Sequence, residues 1–139
     1  MHDTLVSWVT DLIQKYNIDG IRIDTIPEVP KTFWKDFAAG AGVYTLGEVF
    51  DGRISYVSDY QNYIDATLNY PLYFQMKNVF LYSNGMNTLE SFYQSMGSFP
   101  DQSVLGVFSD NHDNARFLSI KYDYVLFKSY LSFNLGASK

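Results

Sequence analysis

Apolar residues recur at helical spacing through Leu5, Trp8, Val9, Leu12, Ile13 and Tyr16, which predicts an amphipathic helix from Leu5 to Tyr16 with Asp3 or Thr4 as its N-cap. Asn17 to Gly20 then turns the chain, and Ile21 to Asp24 reads as a buried strand. Pro27 and Pro30 hold the next loop extended. A second helix follows, with Lys31 in its first turn, Phe33, Trp34, Phe37 and Ala38 on its apolar face, and Gly40 and Gly42 to stop it.

Val43 to Gly47 is the next strand, closed by Glu48, and Asp51, Gly52, Arg53 and Ser55 read as a polar loop. A weaker strand is expected over Ile64 to Leu68, then a helix entered at Pro71, carrying Leu72, Met76, Val79 and Phe80 and ended by Gly85. Asn87 to Glu90 has capping-box spacing before Leu89, Phe92, Tyr93 and Met96, and Pro100 stops that helix. Val104 to Phe108 is the last buried strand, and Asp123 caps a helix from Tyr124 to about Leu135. Strands alternating with helices imply an α/β fold on a parallel sheet, here with four strands and no internal repeat.

At 139 residues and 47% hydrophobic, the composition is that of one globular domain. Its net charge of −5 leaves no basic footprint for nucleic acid or an anionic membrane, and an uncharged ligand such as a sugar fits better. Zero cysteines and only two histidines, His2 and His112, remove the ligand sets that zinc usually needs, while a hard, oxygen-bound cation remains compatible. No run approaches the ~20 apolar residues of a membrane span, and the first residues show no signal core.

Three apolar runs end in acids: Gly20-Ile21-Arg22-Ile23-Asp24, Val43-Tyr44-Thr45-Leu46-Gly47-Glu48, and Val107-Phe108-Ser109-Asp110-Asn111-His112-Asp113. Strands apolar on both faces belong in a buried parallel sheet, whose C-terminal ends open to ligand, so these ends suggest one pocket with three acids. Each residue alone has a plainer reading. An Asp at a strand end also caps helices or forms turns, Arg22 also serves as an ion-pair partner, and a lone His is commonly a buried, hydrogen-bonded one.

Together these motifs, with Gly47-Glu48-Val49-Phe50-Asp51-Gly52, Tyr60-Gln61-Asn62, Leu68-Asn69-Tyr70-Pro71 and the continuation to Phe117, resemble the α-amylase family, above all its fungal-type members. Those enzymes cut or transfer α-linked glucans with retention. The resemblance covers nearly the whole chain and implies a partial (β/α)8 TIM barrel, about half of it, with parallel strands four to seven and their helices. By resemblance Asp24 is the nucleophile, Glu48 the acid/base and Asp113 the carboxylate that stabilises the transition state. Arg22, on the same strand face as Asp24, is expected to hydrogen-bond that carboxylate and keep its pKa low, and Glu48 has no cation beside it in sequence, as suits an acid holding its proton.

The resemblance further implies that His112 contacts sugar hydroxyls, that Phe50, Asp51 and Gly52 line the leaving-group side, and that an α-glucan is the substrate. It implies calcium as cofactor, with the Glu28 backbone carbonyl as one ligand, and an extracellular or cell-wall location. The chain departs from the fungal pattern at Pro27 and Glu28, where lysine and histidine are usual. That change leaves an α-glucanotransferase as the alternative to a hydrolase. Half a barrel with open edges leaves a third: a non-catalytic glucan-binding or degenerate remnant, poorly soluble and without turnover as an isolated chain.

Overall fold

The structure, a computed structural model, describes residues 1–136. Three parallel strands form its sheet in the order β1 (Gly20–Ile23), β2 (Tyr44–Gly47) and β3 (Ala66–Thr67). Gly20 lies opposite Tyr44 and Ile23 opposite Gly47, while Leu46 lies opposite Ala66. Among the described residues seven α-helices surround or extend this sheet: α1 (His2–Tyr16), α2 (Lys31–Ala41), α3 (Ile54–Asp59), α4 (Tyr70–Phe80), α5 (Asn87–Ser95), α6 (Phe117–Ile120) and α7 (Tyr124–Gly136).

One face of the sheet is packed on helices. Ile21 and Ile23 lean on a core built from Val9 and Ile13 of α1, Trp34, Phe37 and Ala41 of α2, and Ile26, Val49, Val57 and Ile64 from the connections. Trp34 keeps its ring in that core because its indole N–H donates to the Ile26 carbonyl at 2.8 Å. Between β2 and β3 the Asp65 carboxylate accepts from the Thr45 N–H at 2.8 Å and the Thr45 hydroxyl at 2.7 Å, a clip that pins the register ahead of the short third strand. A second apolar cluster gathers Leu72, Met76, Val79 and Phe80 of α4 with Leu89, Phe117 and Tyr130.

The opposite face is less covered than expected. Arg22 and Tyr44 are exposed, and Leu46 and Leu68 are half-buried. The expectation of strands apolar and buried on both faces is therefore corrected: β1 alternates, with a charged residue on its open side. Four strands become three, because Val104 to Phe108 contributes one bridge, between Leu68 and Gly106, rather than a strand. That bridge uses both Gly106 groups, its N–H to the Thr67 carbonyl at 3.0 Å and its carbonyl from the Asn69 N–H at 2.8 Å. The expected Ile64 to Leu68 strand shrinks to Ala66–Thr67, since Asp65 bonds through its side chain.

Helix ends account for most remaining differences. α1 starts at His2 with Met1 in the cap position, so neither Asp3 nor Thr4 caps it. α2 runs through Gly40 and stops at Gly42, which adopts the left-handed φ of 63° that favours glycine. Residues after Arg53, read as loop, form α3 and a 310 turn over Tyr60–Asn62. α4 ends at Phe80, ahead of Gly85, and α5 begins at Asn87 with Met86 before it and no side-chain cap, so the Asn87 capping box does not form. The expected Asp123 cap forms, its Oδ1 accepting from the Leu126 N–H at 2.9 Å, and Asn69 adds one that was not expected, its Oδ1 accepting from the Leu72 N–H at 3.1 Å.

Gly47 ends β2 where backbone must lie close to the core. A Cβ there would stand 2.5 Å from Ile64 Cδ1 and 2.6 Å from Ile26 Cδ1. Gly47→Ala is expected to lower stability by about 1–3 kcal/mol in urea unfolding, through overpacking. An unchanged midpoint would show that both isoleucines yield freely.

Candidate active site

Asp24 directly follows β1, and Glu48 directly follows β2. In-register pairing brings the two acids to the same edge of the sheet. The Glu48 backbone is clamped there, its N–H donating to the Ile23 carbonyl at 2.8 Å and its carbonyl accepting from the Ile26 N–H at 3.2 Å. Thr25 makes this possible by turning into the left-handed region with φ 47°, which aims its N–H at Glu48 Oε2, 3.3 Å away.

Arg22 lies between the two acids. Its Nη1 donates to Asp24 Oδ1 at 2.9 Å, and its Nη2 stands 3.3 Å from Glu48 Oε1. The expected bond from Arg22 to Asp24 is present. The expectation that Glu48 has no cation beside it is corrected, because strand pairing delivers the same guanidinium that sequence distance kept away. Glu48 is buried, whereas the Asp24 side chain is 70% exposed. A hydrogen bond from Glu48 first, and Arg22 second, hold the Asp24 carboxyl below the ordinary value.

Asp113 enters from the loop after Gly106. Asp24, Glu48 and Asp113 line one cleft of about 420 Å³, together with Phe50, Asp51 and His112, and with Pro27, Glu28, Arg53 and Tyr56. His112 Nε2 is 3.3 Å from Asp113 Oδ2, and both side chains are open to solvent. Gly52 is not in this cleft; it faces Phe74 in a neighbouring hollow. Asp51 lines the cleft but is held by Arg53, whose N–H donates at 2.7 Å and whose Nη2 donates at 2.7 Å, and that pairing keeps the Asp51 carboxyl below its usual value. Phe50 packs its half-exposed ring against Tyr70 with centroids 4.7 Å apart.

The sequence reading gives neither Tyr70 nor Asn111 a role beyond the motifs that contain them. Tyr70 is fully buried, yet its hydroxyl donates to Glu48 Oε1 at 3.0 Å and accepts from Asn111 Nδ2 at 2.8 Å. Both residues lie inside motifs already singled out, Leu68-Asn69-Tyr70-Pro71 and Asp110-Asn111-His112-Asp113, which was the signal available.

No family model matches the chain. It is 42% identical over 130 residues to alpha-amylase 2 of Schwanniomyces occidentalis, covering 92% of this chain and 26% of that protein. It superposes on the structure of an alpha-amylase from Malbranchea cinnamomea with a TM-score of 0.91 and 38% identity, covering 95% of this chain and 28% of that one. The chain belongs to the α-amylase family. It is also 42% identical over 115 residues to a beta/alpha-amylase of Paenibacillus polymyxa, 83% of this chain and 10% of that protein. The chain thus spans about a quarter or less of the length of these curated α-amylase relatives.

Glu28 lies in the cleft wall, at the end of the 310 turn Ile26–Glu28. Among the described residues no three His, Asp or Glu side chains converge as a cation site.

Thr25 is β-branched in a conformation that disfavours such residues, by roughly 1–2 kcal/mol. Thr25→Asn, which keeps the N–H to Glu48, is expected to stabilise the protein by about 1 kcal/mol in thermal or urea unfolding. A loss of stability would show that the Thr25 side chain contributes more than its backbone strain costs.

Proposed function

We propose that the natural protein is a retaining glycoside hydrolase of the α-amylase type, cleaving α-1,4-glucosidic bonds in starch- or glycogen-like glucans. The observation that carries this reading is the Arg22 fork between Asp24 and Glu48 at neighbouring strand ends, in the cleft that also receives Asp113. Two carboxyls gathered on one guanidinium at neighbouring strand ends supply the acid pair that a double-displacement mechanism uses.

In the first step Asp24, ionised, attacks the anomeric carbon, and the glycosidic oxygen leaves with the proton of Glu48. In the second, water gives a proton to Glu48 and its oxygen to the anomeric carbon, and Asp24 departs as carboxylate. Asp113 stabilises the positive charge that grows on the sugar, and His112 bonds its hydroxyls. Arg22 orients the nucleophile. Phe50, Asp51 and Gly52 belong to the leaving-group side, Phe50 as an apolar contact and Gly52 from its neighbouring hollow. We also assign β1, β2, β3 and the Gly106 bridge to strands four to seven of a (β/α)8 barrel.

An α-glucanotransferase is the second reading, favoured by Pro27 and Glu28 in the cleft wall. Proline offers no side-chain donor to an incoming sugar, so this wall treats water and a second glucan differently from one bearing lysine and histidine. Chromatography of the products formed by the natural protein from maltoheptaose separates the two: shorter chains alone support hydrolysis, and products longer than the starting chain support transfer.

Glu48→Gln is expected to lower kcat on the order of 10²–10⁴-fold, and Asp24→Asn to abolish turnover. NMR of the first-formed product should show the α-anomer. A β-anomer, or full activity in either variant, would remove the retaining assignment.

Asp24 must be ionised to attack, and its folded pKa is depressed, so the acidic limb it sets should lie below pH 3.8. Arg22→Met removes one cause of that depression and should move the limb to higher pH. A limb that stays in place in the kcat/KM profile would mean that Arg22 does not tune Asp24.

A further inference from the structure

The donors around Glu48 have a readable direction. Asn111 Oδ1 accepts from the Asp113 N–H at 3.1 Å and from Asn114 Nδ2 at 2.8 Å. Its amide nitrogen is therefore the group turned to Tyr70, and it donates to the phenol oxygen at 2.8 Å. Tyr70 in turn directs its own hydrogen to Glu48 Oε1 at 3.0 Å. Burial pushes this phenol up to about 12, so it remains a donor throughout the range in which a carboxyl titrates. Arg22 Nη2 approaches the same oxygen at 3.3 Å. Oε1 is thus met by the Tyr70 hydroxyl and the Arg22 guanidinium, whereas Oε2 accepts from the Thr25 N–H at 3.3 Å.

We propose that Tyr70, aligned by Asn111, is a positioning residue that holds Glu48 Oε1 as an acceptor and so places the acid proton on Oε2. The inference rests on reading Glu48 as the acid/base and deepens that reading. It also ties the orientation of Glu48 to the loop bearing Asp113, because Asn111 holds the Asp113 backbone and Tyr70 at once. A buried hydroxyl with one donor and one acceptor partner has no rotational freedom left, and that is what fixes the carboxyl.

Tyr70→Phe keeps the ring, with its packing on Phe50 and Phe108, and removes only the hydroxyl. Two reactions of the natural protein separate positioning from general damage. A malto-oligosaccharide needs a proton on its leaving oxygen and a base in the second step. Maltosyl fluoride in the presence of azide needs neither, because fluoride leaves unprotonated and azide discharges the intermediate without a base. The variant should lose on the order of 10²-fold in kcat on the oligosaccharide and far less on the fluoride. Equal losses on both, or none, would overturn the proposal. Asn111→Ala should show the same selectivity at smaller size, and keeps the test open should Tyr70→Phe fold poorly.

If the natural protein acts on neither substrate, the glycosidase reading fails, and urea unfolding of Tyr70→Phe, Glu48→Ala and the double variant decides the contact alone. The double variant should lose less than the sum of the singles, and additive losses would overturn the coupling.

Discussion

A guanidinium shared by two carboxylates at adjacent strand ends is the interaction on which the site depends. Parallel strands lie ~4.8 Å apart, so side chains leaving their ends on one edge meet at hydrogen-bond range. Unpaired, two carboxylates at that spacing would repel and one would hold its proton. Arg22 changes the balance by reaching both, at 2.9 Å to Asp24 and 3.3 Å to Glu48. The two acids also differ in setting. Asp24 is open to the cleft, while Glu48 is covered and receives the Tyr70 hydroxyl and the Thr25 N–H. The two acids of the pair thus stand in unlike surroundings, one facing solvent and one enclosed by hydrogen-bond donors.

The scaffold beneath the pair is built to keep the strand ends in place. Gly47 lets Ile26 and Ile64 close under the Glu48 backbone, and Trp34 bonds the Ile26 carbonyl from inside the core. Asp65 clips β2 to β3 through Thr45. Each of these is a short-range contact between an element and the connection beside it. The acid pair is therefore positioned by the packed face of the sheet, while its chemistry is presented at the sheet's edge.

Much of this was legible in the residues. The helix of Leu5 to Tyr16 and the strands before Asp24 and Glu48 follow from periodicity and from acids at strand ends, while Asp113 reaches the same cleft from a loop rather than from the strand end expected for it. Failures have physical causes. Val104 to Phe108 is apolar enough for a strand, but pairing depends on a neighbour, and β3 offers only two residues. The stretch after Arg53 follows the turn-forming Asp51 and Gly52, yet its Ile54, Tyr56, Val57 and Tyr60 contact the core and fold as α3 and the 310 turn. The Arg22 contact to Glu48 joins residues on separate strands, which sequence proximity cannot show. Tyr70 is a buried ring whose polar end meets Glu48, a contact between residues 22 positions apart that no local pattern marks.

The cleft wall at Tyr56 has its own support. Tyr56 lines the cleft with Lys31 Nζ 5.3 Å from its ring centroid and Arg53 Cζ 4.8 Å from it. Lys31 is anchored to the Asp59 carboxylate and also stands 4.3 Å from the Tyr60 ring, while Arg53 is anchored to Asp51. Cations near an aromatic ring, each held by its own carboxylate, fix that ring without placing net charge on it. The support of this wall thus comes from Lys31 at the start of α2, from Arg53 just ahead of α3 and from Asp59 at its end.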